Sequence, residues 1–168
     1  MVEIDDYTLR KFFVSYWLLH TALYNLAQGL HNQRKRRFTW AITNYYYSLL
    51  FVARLFMFLV CEAYLLRHDT QAKLFSNRNT RIRRNERIIL PLEDSGYSIK
   101  RFSQLTNEQQ KCLNQVIDLI VKELKVHRSE LIKFGKVLNV LKDFRNKNTY
   151  EPFVVYAQEE HLALTEFM

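Results

Sequence analysis

Tyr45-Tyr46-Tyr47-Ser48-Leu49-Leu50-Phe51-Val52-Ala53-Arg54-Leu55-Phe56-Met57-Phe58-Leu59-Val60 is hydrophobic on almost every side of a helical wheel, and its reading decides the fold. A helix that is apolar all round is either the centre of a bundle or a membrane span. The surrounding run, from about Phe38 to Leu66, is long enough for both. Arg54 stands in the middle of it, and a bilayer centre would disfavour that charge by about 2.5–3.5 kcal/mol. Thr43, Asn44, Ser48 and Glu62 add polar groups at the ends and flanks. The central bundle helix is therefore the preferred reading, and a membrane is not an expected partner.

The rest of the chain supports a helical domain around this segment. Its 168 residues suit one domain with a sizeable core, and 3 Gly with 2 Pro argue for long helices over a many-turned β-fold. A first helix is expected from about Asp6 to Leu30, capped by Asp5 or Asp6. Its apolar residues are Phe13, Trp17, Ala22, Leu23, Leu26, Ala27 and Leu30, with Gly29 and the following basic cluster marking the turn. Thr106-Asn107-Glu108-Gln109 has the form of a capping box and opens another helix. A break is expected near His127–Ser129, with Ser129 as a cap. The apolar face running from Leu131 to Phe144 then leads to Arg145 and Asn146. Residues 156–168 are expected to form a short final helix. The stretch 67–104 lacks clear periodicity and reads as an irregular basic insertion, with loops at Asn77–Thr80 and Glu93–Gly96. Within it, Arg87-Ile88-Ile89-Leu90-Pro91-Leu92 is a short apolar patch suited to packing as an extended segment or to facing a partner.

Charge and cysteine usage bound the partners. The net charge is +8 and is concentrated in two places. Arg34-Lys35-Arg36-Arg37 form one cluster; residues 67–88 carry Arg67, Lys73, Arg78, Arg81, Arg83, Arg84 and Arg87 against Asp69 and Glu86. Clustered cations recruit polyanions by counterion release, whereas a merely solvated basic face only aids solubility. An RNA, a nucleotide-bearing ligand or an acidic protein surface is the expected partner for Arg34, Lys35, Arg36, Arg37, Arg78, Arg81, Arg83, Arg84 and Arg87. Cys61 and Cys112 each lie in an apolar run and match no metal spacing, so both read as buried thiols in a reducing compartment. The acidic N-terminus is unlike a signal peptide, and a cytoplasmic location is expected. No cofactor is expected, since neither a phosphate-cradling Gly-rich loop nor a histidine ligand spacing is present.

Phe144-Arg145-Asn146-Lys147-Asn148-Thr149-Tyr150-Glu151-Pro152-Phe153 carries the most chemistry. Arg offers a rigid fork of donors for phosphate or carboxylate, and the neighbouring Asn adds a donor and an acceptor. Asn146 and Tyr150 are four residues apart and share a helix face. Together with the aromatic run from Ala41 to Leu55, this segment resembles the HEPN family. The resemblance implies an all-α, up-and-down bundle of four to five helices that is homodimeric or part of a larger complex. It also implies an RNA-directed role of toxin–antitoxin or antiviral-defence type. In members that cut RNA, a metal-independent endoribonuclease site pairs an arginine with a histidine four intervening residues later. Here Arg145 matches the phosphate clamp, Asn146 the polar position after it, and Tyr150 stands where the histidine would be. A phenol titrates near 10 and is a poor base at neutral pH. Tyr150 therefore points toward phosphate binding or base stacking, and the alternative is a non-catalytic assembly subunit. His127 opens the segment leading to the motif and would restore acid–base chemistry if it folded over it.

Overall fold

A computed structural model describes residues 5–77, 80–93 and 96–150, with the side chains of Gly96, Asn148, Thr149 and Tyr150 outside the description. Arg78, Glu151 to Phe153 and the helix expected over 156–168 lie outside the described residues.

Helix α1 spans Asp6–Arg34 and α2 spans Phe38–Cys61, forming an antiparallel hairpin. Asp5 caps α1, its carboxylate accepting from Thr8 N at 2.8 Å. The core side of α1 is only partly the one expected, Ala22 being the one residue of the expected set that is buried. Leu18, Ala22 and Gly29 are buried, with Val14 packed against them, whereas Phe13, Trp17, Leu23, Leu26 and Leu30 are exposed. Gly29 marks no turn. It is buried within α1, and a Cβ there would stand 2.5 Å from the Tyr45 ring. Small residues at 22 and 29 let α2 approach closely, and that approach sets which face turns inward. Phe12, Phe13, Tyr16, Leu23 and Tyr24 are left outside, each more than half exposed.

Helix α2 is central, packing on α1, α4, α5 and α6. It is long and apolar enough to cross a membrane, but in this fold Ala41, Ile42, Tyr46, Leu50, Ala53, Met57 and Phe58 form the middle of the core. Removing such side chains from water stabilises by roughly 1.5–3 kcal/mol each for the larger ones. The helix stops at Cys61, short of the expected Leu66, because Glu62 turns left-handed with φ 53°. Lys11 Nζ lies 2.6 Å from the Glu62 carboxylate and Tyr7 donates to its other oxygen. Burial alone would raise the Glu62 carboxyl, but these two hydrogen bonds outweigh it and hold it below its ordinary value.

The chain is mostly helical, with a small sheet where an irregular insertion was expected. Strand β1 (Tyr64–Leu65), helix α3 (His68–Ser76), β2 (Arg87–Glu93) and β3 (Gly96–Arg101) follow α2. The sheet is antiparallel in the order β1-β2-β3, with Ile89 opposite Tyr64 and Ile99. The apolar patch around Ile88–Leu92 is extended, as expected, and its burial makes it the central strand. Pro91 cannot donate to a ladder, and the β2–β3 register shifts between Leu90 and Glu93, where it stands. Gln71, fully buried, ties α3 to α2 by donating from Nε2 to the Leu50 carbonyl at 3.2 Å.

After a short 3-10 turn, Phe102–Gln104, come α4 (Asn107–Asn114), α5 (Val116–Glu123) and α6 (Arg128–Tyr150). The Thr106 capping box forms as read: Thr106 Oγ1 accepts from Gln109 N at 3.2 Å, and Gln109 Oε1 accepts from Thr106 N at 3.1 Å. The break at Gln115 had no sequence signal, and α6 begins at Arg128, so Ser129 lies inside the helix and not at its cap. Cys61 and Cys112 are not free thiols. They form a disulfide joining the end of α2 to α4, which removes the reason for placing them in a reducing compartment.

Candidate functional site

Arg145, Tyr46, Tyr47 and His68 meet where α6, α2 and the start of α3 converge. The Arg145 guanidinium carbon lies 5.0 Å from the Tyr46 ring centroid, within cation–π range. Tyr46 is fully buried and meets Tyr47 edge-on at 5.2 Å. The His68 ring is 5.9 Å from Tyr46 and 6.2 Å from Tyr47. The tyrosine triplet thus divides its work: Tyr45 turns to α1 and donates to Gln33, while Tyr46 reaches the helix that carries the Arg-Asn pair.

The α3–α6 contact sets this geometry. Asn139 Nδ2 donates to Ser76 Oγ at 2.8 Å and to the Ala72 and Gly135 carbonyls at 3.3 and 3.2 Å. Lys142 Nζ pairs with Asp69 at 3.3 Å, and Phe134 packs on Phe75. Asn146 is half-buried beside Arg145, and the α6 backbone carries Tyr150 one turn further on. His127 is not near the motif. It is exposed just before α6, roughly 26 Å from Arg145 at 1.5 Å per helical residue. The histidine beside Arg145 is His68, 77 positions earlier in the chain, which no sequence spacing singles out.

The electrostatics favour neutral groups here. Burial pushes the Tyr46 phenol up to about 12, with Arg145 acting the other way. Burial, Arg54 and Arg145 together push His68 down to about 4 from an ordinary 6.5, opposed by Asp69. The imidazole is therefore uncharged near pH 7 and can accept a proton or a hydrogen bond. Because unfolding restores the ordinary value, the unfolded chain binds this proton first as pH falls. The His68 contribution to stability is complete above about pH 6.5 and drains away toward pH 4. Between pH 7.5 and 5.0, wild type is expected to lose about 1 kcal/mol more than His68→Gln, after discounting for partial exposure. Urea midpoints at the two pH values measure it, and parallel losses would refute it.

Next to this centre lies a cleft of about 520 Å³ at the start of α3. Arg67, Lys73, Arg81 and Arg83 surround it, with His68, Asp69, Thr70, Thr80 and Glu86. Arg67 occupies the N-cap of α3 without a side-chain cap, so the positive end of the helix opens on the same space. Glu86 is 2% exposed; Thr70 Oγ1 donates to one of its oxygens at 2.9 Å, and Arg67 Nε is 4.0 Å from the other.

Of the cations expected to contact a polyanion, Arg81 and Arg83 line this cleft, joined by Arg67 and Lys73. Arg84 and Arg87 are exposed in the turn before β2 and at its first residue. Arg34, Lys35, Arg36 and Arg37 form a separate exposed cluster at the α1–α2 turn and do not line the cleft. Charge counting found the basic residues, but the part played by Thr70, Glu86 and His68 needed the fold. Among the described residues no cluster of three His, Cys, Asp or Glu is placed to hold a metal ion. No protein-family model, curated protein or solved structure matches the chain.

Proposed function

We propose that this protein binds RNA in the cleft at the start of α3, with the adjoining Arg145 centre taking a backbone phosphate. The reading extends the HEPN resemblance to an RNA-directed protein of toxin–antitoxin or antiviral-defence type. The observation that carries it is the convergence of Arg67, Lys73, Arg81 and Arg83 on one cleft beside an uncapped helix start. Phosphates on four cations and a helix terminus make affinity steeply salt-dependent. Tyr47 and the neutral His68 offer ring faces for a base.

Cleavage at this centre needs no metal. The ribose 2′-oxygen would attack phosphorus, its proton passing to His68, while Arg145 holds the non-bridging oxygens and the 5′-oxygen leaves, taking a proton from solvent water. The products are a 2′,3′-cyclic phosphate and a 5′-hydroxyl. A histidine titrating near 4 is a weak base, so binding is the primary function and cleavage the dependent one.

The test is fluorescence anisotropy with labelled single-stranded RNA, beside a cleavage assay on tRNA in EDTA. Arg81→Glu with Arg83→Glu is expected to weaken binding at least tenfold. Arg145→Ala is expected to abolish any cleavage while leaving the fold intact. Wild type that neither binds nor cuts RNA would sink the reading. The exposed apolar face of α1 favours a second reading, a non-catalytic subunit of a homodimer or larger complex. Sedimentation showing a stable dimer without RNA binding would select it.

A further inference from the structure

Arg54 opens on a second cleft, of about 460 Å³, between α1, α2 and the sheet. Its walls are Val14, Trp17, Tyr64, Leu66, Ile89, Pro91 and Tyr97. The guanidinium carbon is 5.2 Å from the Phe51 ring and 5.5 Å from the Tyr64 ring. Among the described residues its Nε is buried without a hydrogen-bond partner, and Nη2 reaches the Leu66 carbonyl at a long 3.5 Å. Among the described residues no carboxylate lies within ion-pair distance of it. Aromatic faces offset part of the cost of burying a cation, but they leave its donors unused. Arg54 as a whole is half-buried, and a partly desolvated cation without a counter-ion is unfavourable.

We propose that this cleft binds a small organic monocarboxylate with an apolar body, the carboxylate on Arg54 and the body among Trp17, Ile89, Pro91 and Tyr97. Charge complementarity selects the head group. One guanidinium neutralises one negative charge, and a planar fork fits a carboxylate with two parallel hydrogen bonds. A doubly charged phosphate monoester would leave a net charge among apolar walls. The volume falls in the usual range for small-ligand pockets, which are mostly apolar with a few fixed polar groups. Trp17 and Tyr97 are each more than half exposed and form the rim through which a ligand enters. This site shares no residue with the basic cleft and does not depend on the RNA reading.

Trp17 supplies the readout. In a Trp40→Phe background it is the chain's one remaining tryptophan. Octanoate and 3-phenylpropanoate are titrated separately, with octanol testing the body without the charge and acetate the charge without the body. Saturable fluorescence change with at least one of the two acids is expected, octanol and acetate binding about tenfold more weakly or worse. Arg54→Met should lose about tenfold or more in affinity, with a cooperative melting curve at or above the wild-type midpoint as the check on folding. Should Arg54→Met fail to fold, Tyr97→Ala on the exposed rim serves instead, with a several-fold loss expected. No saturation by either acid, equal binding of octanol, or full affinity in a folded Arg54 or Tyr97 variant overturns the proposal.

Discussion

Replacing Cys61 and Cys112 together with alanine is expected to cost about 4 kcal/mol of stability, the largest change any pair of substitutions here should produce. The bridge closes a loop across a sequence separation of 51 residues. In the chain-entropy account, freeing a ring of that size restores about 4 kcal/mol of unfolded-state freedom. Native domains hold only about 5–15 kcal/mol in total. The enclosed segment contains α3 and the whole sheet, whose attachment to α2 otherwise rests on β1, Gln71 and side-chain packing. Urea unfolding with and without reductant measures the effect. Reduced wild type should coincide with the double variant and both should lie well below the oxidised protein. Coincidence of all three curves would show that the bridge contributes nothing.

Gly135→Val should destabilise by at least about 3 kcal/mol, near the upper end for inserting volume into a packed contact. A Cβ at 135 would stand 2.4 Å from both Phe75 C and Ser76 N, and 2.7 Å from the Phe75 carbonyl oxygen. These are backbone atoms at the end of α3, so no rotamer relieves the clash. The two helices must part, taking with them the Asn139 hydrogen bonds and the Lys142–Asp69 pair. Replacing a mid-helix glycine returns at most about 1 kcal/mol of propensity, less for a β-branched residue. Gly29→Ala is the comparison. Its Cβ would meet the Tyr45 ring, a side chain that can tilt, and the loss should be nearer 1–2 kcal/mol. Equal denaturation midpoints for Gly135→Val and wild type would refute the argument. Because the α3–α6 contact also sets His68 beside Arg145, Gly135→Val should disturb the candidate site without touching it.

Local rules carried far along this chain. The Asp5 cap, the start of α2 at Phe38 and the Thr106 capping box depend on neighbours within a few residues, and all could be read there. The sheet could not be identified so directly. Ile88–Leu92 is too short for periodicity to separate strand from helix, and its partner β1 has two residues. The inward face of α1 was read only in part, at Ala22, because the large residues signal most strongly, while Leu18 and Gly29 face the core. The disulfide was invisible because two cysteines in apolar runs carry no record of facing each other. In the candidate site, the Arg145–Asn146 pair and the cations could be singled out from residue type, their role remaining a proposal. His68 and Glu86 were not, since what matters about them is which distant elements enclose them.

The disulfide also changes what a cut in the backbone does. A single nick anywhere between residues 62 and 111 turns an intact ring into an open one, with both pieces still covalently joined through Cys61 and Cys112. The severed ends remain at high local concentration, so β1, α3 and β2 can keep their places after proteolysis. Only reduction would then let the fragments diffuse apart, making protease and reductant act jointly where neither alone dismantles the fold.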